Sequence, residues 1–158
     1  MNSLQELKLA LVDYLAPKFA PDAAVVDEYP SQARGACSPA ALVGVGIHQV
    51  QAVAAGASPF LGAAGGQEQF GRGLDITLRF TICSPDSAGD CHRLFTTLCQ
   101  ALLLEPCPLP VSGLWCDALC YDRALGGFVL TAKAGLPALF ATGGQRQEIS
   151  EFVVRSVN

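Results

Sequence analysis

Residues 74–104 constrain the fold more than any other stretch of the chain. Leu74, Ile76, Leu78, Phe80 and Ile82 alternate with Asp75, Thr77, Arg79, Thr81 and Cys83, the period of two that gives a β-strand one apolar and one polar face. Ser84-Pro85-Asp86-Ser87 turns the chain, and Ser87 or Asp90 can cap a helix running to Leu104, whose Leu94, Phe95, Leu98, Ala101 and Leu102 form a broad apolar stripe. Glu105-Pro106 stops it, because proline has no N–H to extend the ladder. A half-buried strand joined by a short turn to an amphipathic helix calls for a layer of helix packed on sheet.

The flanking segments extend that layer. Ser3 followed by Glu6 matches a capping box, and Leu4, Leu7, Leu11 and Leu15 recur at helical spacing, predicting a first helix to about Ala16 that Pro17 and Pro21 end. Ala24 to Asp27 leaves room for a short strand before Tyr29-Pro30 forces the chain extended, and residues 31–39 read as a loop. From Ala41 to Val53, Val43, Val45 and Ile47 share one strand face, and Leu42, Gly44, Gly46 and His48 occupy a lightly covered opposite one. The Gly/Ala-rich stretch 54–73 reads as a long loop, with Phe60, Leu61 and Phe70 as its large apolar residues. Leu114 to Tyr121, Gly127 to Ala134 and Glu148 to Val157 read as three further strands, the first two joined by a hairpin at 122–126. The prediction is one α+β domain over residues 1–158, a mostly antiparallel sheet with two helices packed on one face, in the order α-β-β-β-α-β-β-β.

Composition narrows the function. Ten basic against fourteen acidic residues give 10 − 14 = −4, with no Lys/Arg cluster able to neutralise several phosphates at once, which disfavours nucleic-acid recognition. Apolar residues make up 51% of the chain and charged residues 15%, fewer charges than an isolated soluble domain usually displays, so other chains are expected to cover part of the surface. Glu6, Lys8 and Asp13 interrupt the N-terminal apolar pattern, and no run reaches the length of a membrane span; the expectation is a protein cytosolic when made, without a membrane partner. The seven cysteines, Cys37, Cys83, Cys91, Cys99, Cys107, Cys116 and Cys120, are expected to be reduced core thiols.

No convergent chemistry emerges. Cys91-His92 pairs a thiol with an imidazole at a helix start, but adjacent helical side chains diverge by about 100 degrees and no orienting Asn/Asp motif accompanies them. Cys116 and Cys120 on a strand would sit about 13 Å apart, too far for one zinc ion. Gly62, Gly65, Gly66, Gly71 and Gly73 precede a strand and match no phosphate-binding motif. Accordingly no catalytic, cofactor-binding or metal residue is assigned, and no enzyme activity is expected. The candidates are instead subunit-interface residues: Phe60, Leu61 and Phe70 in the 54–73 stretch, the single Trp115, and Phe152 in the last strand. Two other classes stay open: a small-ligand module with its pocket at Gly44 and Gly46, and a thiol enzyme at Cys91.

The layout, with its opening helix, Val25-Val26-Asp27-Glu28-Tyr29-Pro30, the strand at Ala41 to Val53, Leu74 to Cys83-Ser84-Pro85, a helix, and a late strand pair around Tyr121-Asp122, resembles the tail terminator or tail completion proteins of long-tailed bacteriophages and related contractile particles. The resemblance implies a non-catalytic virion subunit that forms a six-membered homomeric ring. That ring would cap the tail tube, end its polymerisation and offer a docking surface to the head–tail connector protein. Its implied partners are copies of itself, the tail tube protein and that connector, and its implied location is the head-proximal end of the tail after assembly in the host bacterial cytoplasm. Another tail or head–tail connector component, such as a head-completion or tube-related subunit, is the nearest alternative.

Overall fold

The computed structural model describes residues 3–28, 40–52, 60–64, 67–143 and 151–153. Helix α1 (Leu4–Phe19) is capped by Ser3, whose hydroxyl accepts the Glu6 N–H at 3.1 Å. It continues past the predicted end and keeps Pro17 inside its last turn. The carbonyl that Pro17 leaves without a helical partner belongs to exposed Asp13, which water can serve, and one more turn buries Phe19 beside Leu7, Leu11 and Leu15. Helix α2 (Ala88–Cys99) starts at Ser87, whose hydroxyl accepts from Asp90 N–H at 3.1 Å.

Eight strands among the described residues form one sheet: β1 (Ala23–Asp27), β2 (Ala41–Ala52), β3 (Phe60–Ala64), β4 (Gln67–Ser84), β5 (Gly113–Cys116), β6 (Cys120–Asp122), β7 (Gly127–Gly143) and β8 (Glu151–Val153). The order is β1-β2-β4-β7-β5, with β3 on β4 and both β6 and β8 on β7. Only β1 with β2 is parallel among these pairs. This is the predicted α+β layer, each helix followed by a block of strands.

Three local readings are corrected. The 54–73 stretch is not one loop, because β3 and the start of β4 lie within it, pairing Phe60 with Phe70 and Ala64 with Gln67; small residues hid the alternation that marks a strand. Leu114 to Tyr121 is broken at 117–119 into β5 and β6, where Asp117 N–H bonds Thr131 O at 2.8 Å. Cys83 carries a disulfide, whereas Cys91, Cys99, Cys107, Cys116 and Cys120 are free. Cys37, the 31–39 loop and the predicted strand's ends at 148–150 and 154–157 lie outside the described residues.

The main core lies on one face of the sheet, and a smaller buried pair, Cys83 with Val129, lies on the other. Val43 and Val45 of β2, Ile76, Leu78, Phe80 and Ile82 of β4, and Leu130, Ala132, Ala134 and Leu136 of β7 meet Leu7, Leu11 and Leu15 of α1 and Cys91, Leu94 and Leu98 of α2. The register aligns them, Val45 with Phe80 and Phe80 with Ala132. The opposite face carries no helix among the described residues. No described helix is long and apolar enough to cross a membrane.

Candidate assembly surfaces

The sheet has two unequal parts. Strand β2 ends at Ala52 opposite Leu74, and the β4 core residues begin at Ile76; residues 67–73 run on for about 24 Å at strand rise, beyond the part of β4 whose core residues meet the two described helices. Over that length β4 pairs with the far end of β7, β3 flanks β4, and β8 flanks β7, with Phe152 opposite Phe140. The result is a four-stranded arm. It brings together Phe60, Leu61, Phe70 and Phe152, four of the five predicted interface residues, which are dispersed in sequence. Trp115 is elsewhere, on edge strand β5, 46% exposed.

Edge strands leave backbone N–H and C=O groups without a ladder partner, which invites pairing with another chain. Among the described residues β1, β3, β5, β6 and β8 are such edges. Near the β5–β6 edge, Tyr121 is 56% exposed although its ring meets Phe128 edge-on at 5.2 Å.

The end of α2 supplies a feature that the sequence reading missed. Residues Gln100–Leu104 widen into a π-helical turn in which Glu105 N–H bonds Gln100 O at 3.1 Å. In that register the Ala101 carbonyl would look to residue 106, a proline with no N–H; the Tyr14 hydroxyl donates to it instead, at 2.8 Å. Lys18 closes the same junction by pairing with Glu105 and lying 4.9 Å from the Tyr14 ring centre. The turn leaves Leu104 82% exposed beside half-exposed Leu103.

The other candidates fall into place. The Cys91 thiol is fully buried, donates to Phe128 O at 3.3 Å, and is pushed up in pKa by burial, the reverse of an activated thiolate. His92 faces solvent. At Gly46 the lightly covered strand face is occupied from within: an Arg79 guanidinium nitrogen lies 3.6 Å from where a Cβ would stand. Among the described residues no His, Cys, Asp or Glu cluster could hold a metal ion.

Scanned against protein-family models the chain matches none, and no curated protein matches it. Among solved structures it is similar to the sheath/tube terminator, in the extended state, of the extracellular contractile injection system PVC, determined by cryo-electron microscopy. The TM-score is 0.50 at 12% identity, over 98% of this chain. The chain spans 64% of that terminator's length. The likeness is one of fold.

Proposed function

We propose that this chain is a terminator-type subunit of a tail-like particle, assembling as a homomeric ring that caps the tube, ends its polymerisation and offers its outer side to the next component, the head–tail connector in a phage. One observation carries the reading: the similarity in fold to a sheath/tube terminator extends over 98% of the chain. Low charge, exposed apolar groups and bare sheet edges support it, since a heterologous interface repeated around a closed ring hides surface that a monomer must keep polar.

In this reading the protein works by complementary shape and catalyses nothing. The arm, with Phe60, Leu61, Phe70 and Phe152, carries contacts between subunits; Trp115 carries a second contact. The test is the mass of the purified protein in solution, followed by negative-stain imaging with and without tail tubes. A closed ring that decorates tube ends is expected. A monomer at all concentrations, or rings that ignore tubes, would overturn the proposal.

A further inference from the structure

The sheet ends on either side in a short strand with an open edge. Among the described residues β1 (Ala23–Asp27) pairs only with β2, and β5 (Gly113–Cys116) only with β7. Single hydrogen bonds fix which backbone groups face outward. Asp117 N–H bonds Thr131 O at 2.8 Å, one step beyond the register pair of Cys116 and Ala132. Alternate residues of an antiparallel ladder turn to the partner, so Gly113 and Trp115 also face β7, and Leu114 and Cys116 present their N–H and C=O groups outward. On the other side Glu28 N–H bonds Val45 O at 2.9 Å. Ala24 and Val26 therefore turn to β2, and Ala23, Val25 and Asp27 turn outward.

The two edges match in face and in direction. Ala23 belongs to the main core, Val25 and Leu114 pack against it, and Cys116 stands opposite core residue Ala132, so at both edges the outward groups belong to residues whose side chains lie on the helix side. A shift of one residue at either edge would have put them on opposite faces. Strand β1 runs with β2 and against β4, whereas β5 runs against β7 and hence with β4. When two copies stand side by side with helices on the same face and β4 strands parallel, β1 of one meets β5 of the other antiparallel. Ala23 to Val26 and Gly113 to Cys116 carry no charge and no proline, the usual guards of a solvent-facing edge.

We propose that β5 of one copy receives β1 of a second copy as an added antiparallel strand, with Leu114 opposite Val25, Cys116 opposite Ala23, and Trp115 over the small Ala24. This rests on the ring reading and names the two edges that the ring joins. They are different surfaces of one chain, so the contact is head-to-tail and repeats from copy to copy, whereas β5 paired with β5 about a two-fold axis would stop at a dimer.

The experiment compares wild type, Cys116→Ala and Cys116→Pro by sedimentation velocity and circular dichroism, and measures amide hydrogen exchange of wild type when dilute and when assembled. Proline at 116 deletes an outward N–H and leaves the bonds to β7 in place. Cys116→Pro should weaken assembly by about tenfold or more with an unchanged circular dichroism spectrum, and Cys116→Ala should assemble as wild type does. If folded Cys116→Pro forms rings as wild type does, this inference fails and the ring reading survives. Should Cys116→Pro not fold, exchange decides: the amides of Val25 and Cys116 should slow by about tenfold or more on assembly, and rings in which either is unchanged overturn the inference alone. A wild-type chain that stays monomeric, or stops at a dimer protected at β5 only, overturns both.

Discussion

At the scale of single residues, the most deeply buried charge among the described residues is one that the sequence did not advertise. Lys8 interrupts the apolar pattern of α1, yet it is only 5% exposed, its ammonium 2.7 Å from Asp27 and 2.9 Å from Glu28 at the end of β1. The partners lie about twenty residues away, beyond the reach of local pattern. Removing either side has unequal consequences: Asp27→Asn leaves a buried ammonium short of a counter-charge, whereas Lys8→Met leaves carboxylates that reach water. Chemical denaturation should show about 2–3 kcal/mol lost for Asp27→Asn and about 1 kcal/mol for Lys8→Met.

The same contact sets a pH dependence. The hydrogen bond from Lys8 holds the Asp27 carboxyl below its ordinary value against the opposing effect of burial. Burial pulls Lys8 down, but its bonds to Asp27 and Glu28 outweigh that and leave it raised. A depressed carboxyl stabilises the fold above its unfolded value of about 3.9 and ceases to do so as pH falls through the folded one; a raised ammonium stabilises below about 10.4 and fails as pH climbs beyond. Melts should therefore be insensitive to this pair between about pH 5 and 9, and the advantage of wild type over Asp27→Asn should shrink towards pH 3. Two other positions are equally specific. Tyr14→Phe strands the Ala101 carbonyl and should cost about 1–2 kcal/mol. At Gly127 an added Cβ would stand 2.7 Å from Ser84 O, so Gly127→Ala should destabilise by about 1–3 kcal/mol.

At the scale of elements, the strong signals were those with a period and a stop. Both helices and their serine caps follow directly from Ser3, Ser87 and the leucine spacing, and β2 and the core half of β4 follow from clean alternation. The arm did not: Gly62, Ala63 and Ala64 have too little side chain to show which face is which, and their strand state comes from the ladder with β4 rather than from propensity. The break between β5 and β6 was equally hidden. The π-helical turn depends on Pro106, which follows it, and on Tyr14 of α1, and no single-segment reading joins them. The arm's separateness from the core gives its own prediction. A chain lacking residues 62–71 should keep the circular dichroism and cooperative melt of the body while sedimenting as a monomer; undiminished assembly would exclude the arm as a contact.

At the scale of the whole molecule, the face of the main core was legible because the sequence supplies two amphipathic helices for a sheet of many strands, enough to cover one face; the smaller cluster of Cys83 and Val129 on the other face was not. What lay beyond reach was how scattered residues meet. Four of the five proposed interface residues converge on the arm, and the fifth lies in a row with Arg79 and Lys133 that exists only through pairing of β4, β7 and β5. Strands β4 and β7 run alongside each other without interruption from Gln69 opposite Gly143 to Ser84 opposite Phe128. A load applied at the distal tip along these two strands acts on the whole ladder in shear, so the rungs resist together instead of parting one at a time. A tug on the tip is thereby delivered, undamped by any hinge, to the packed body.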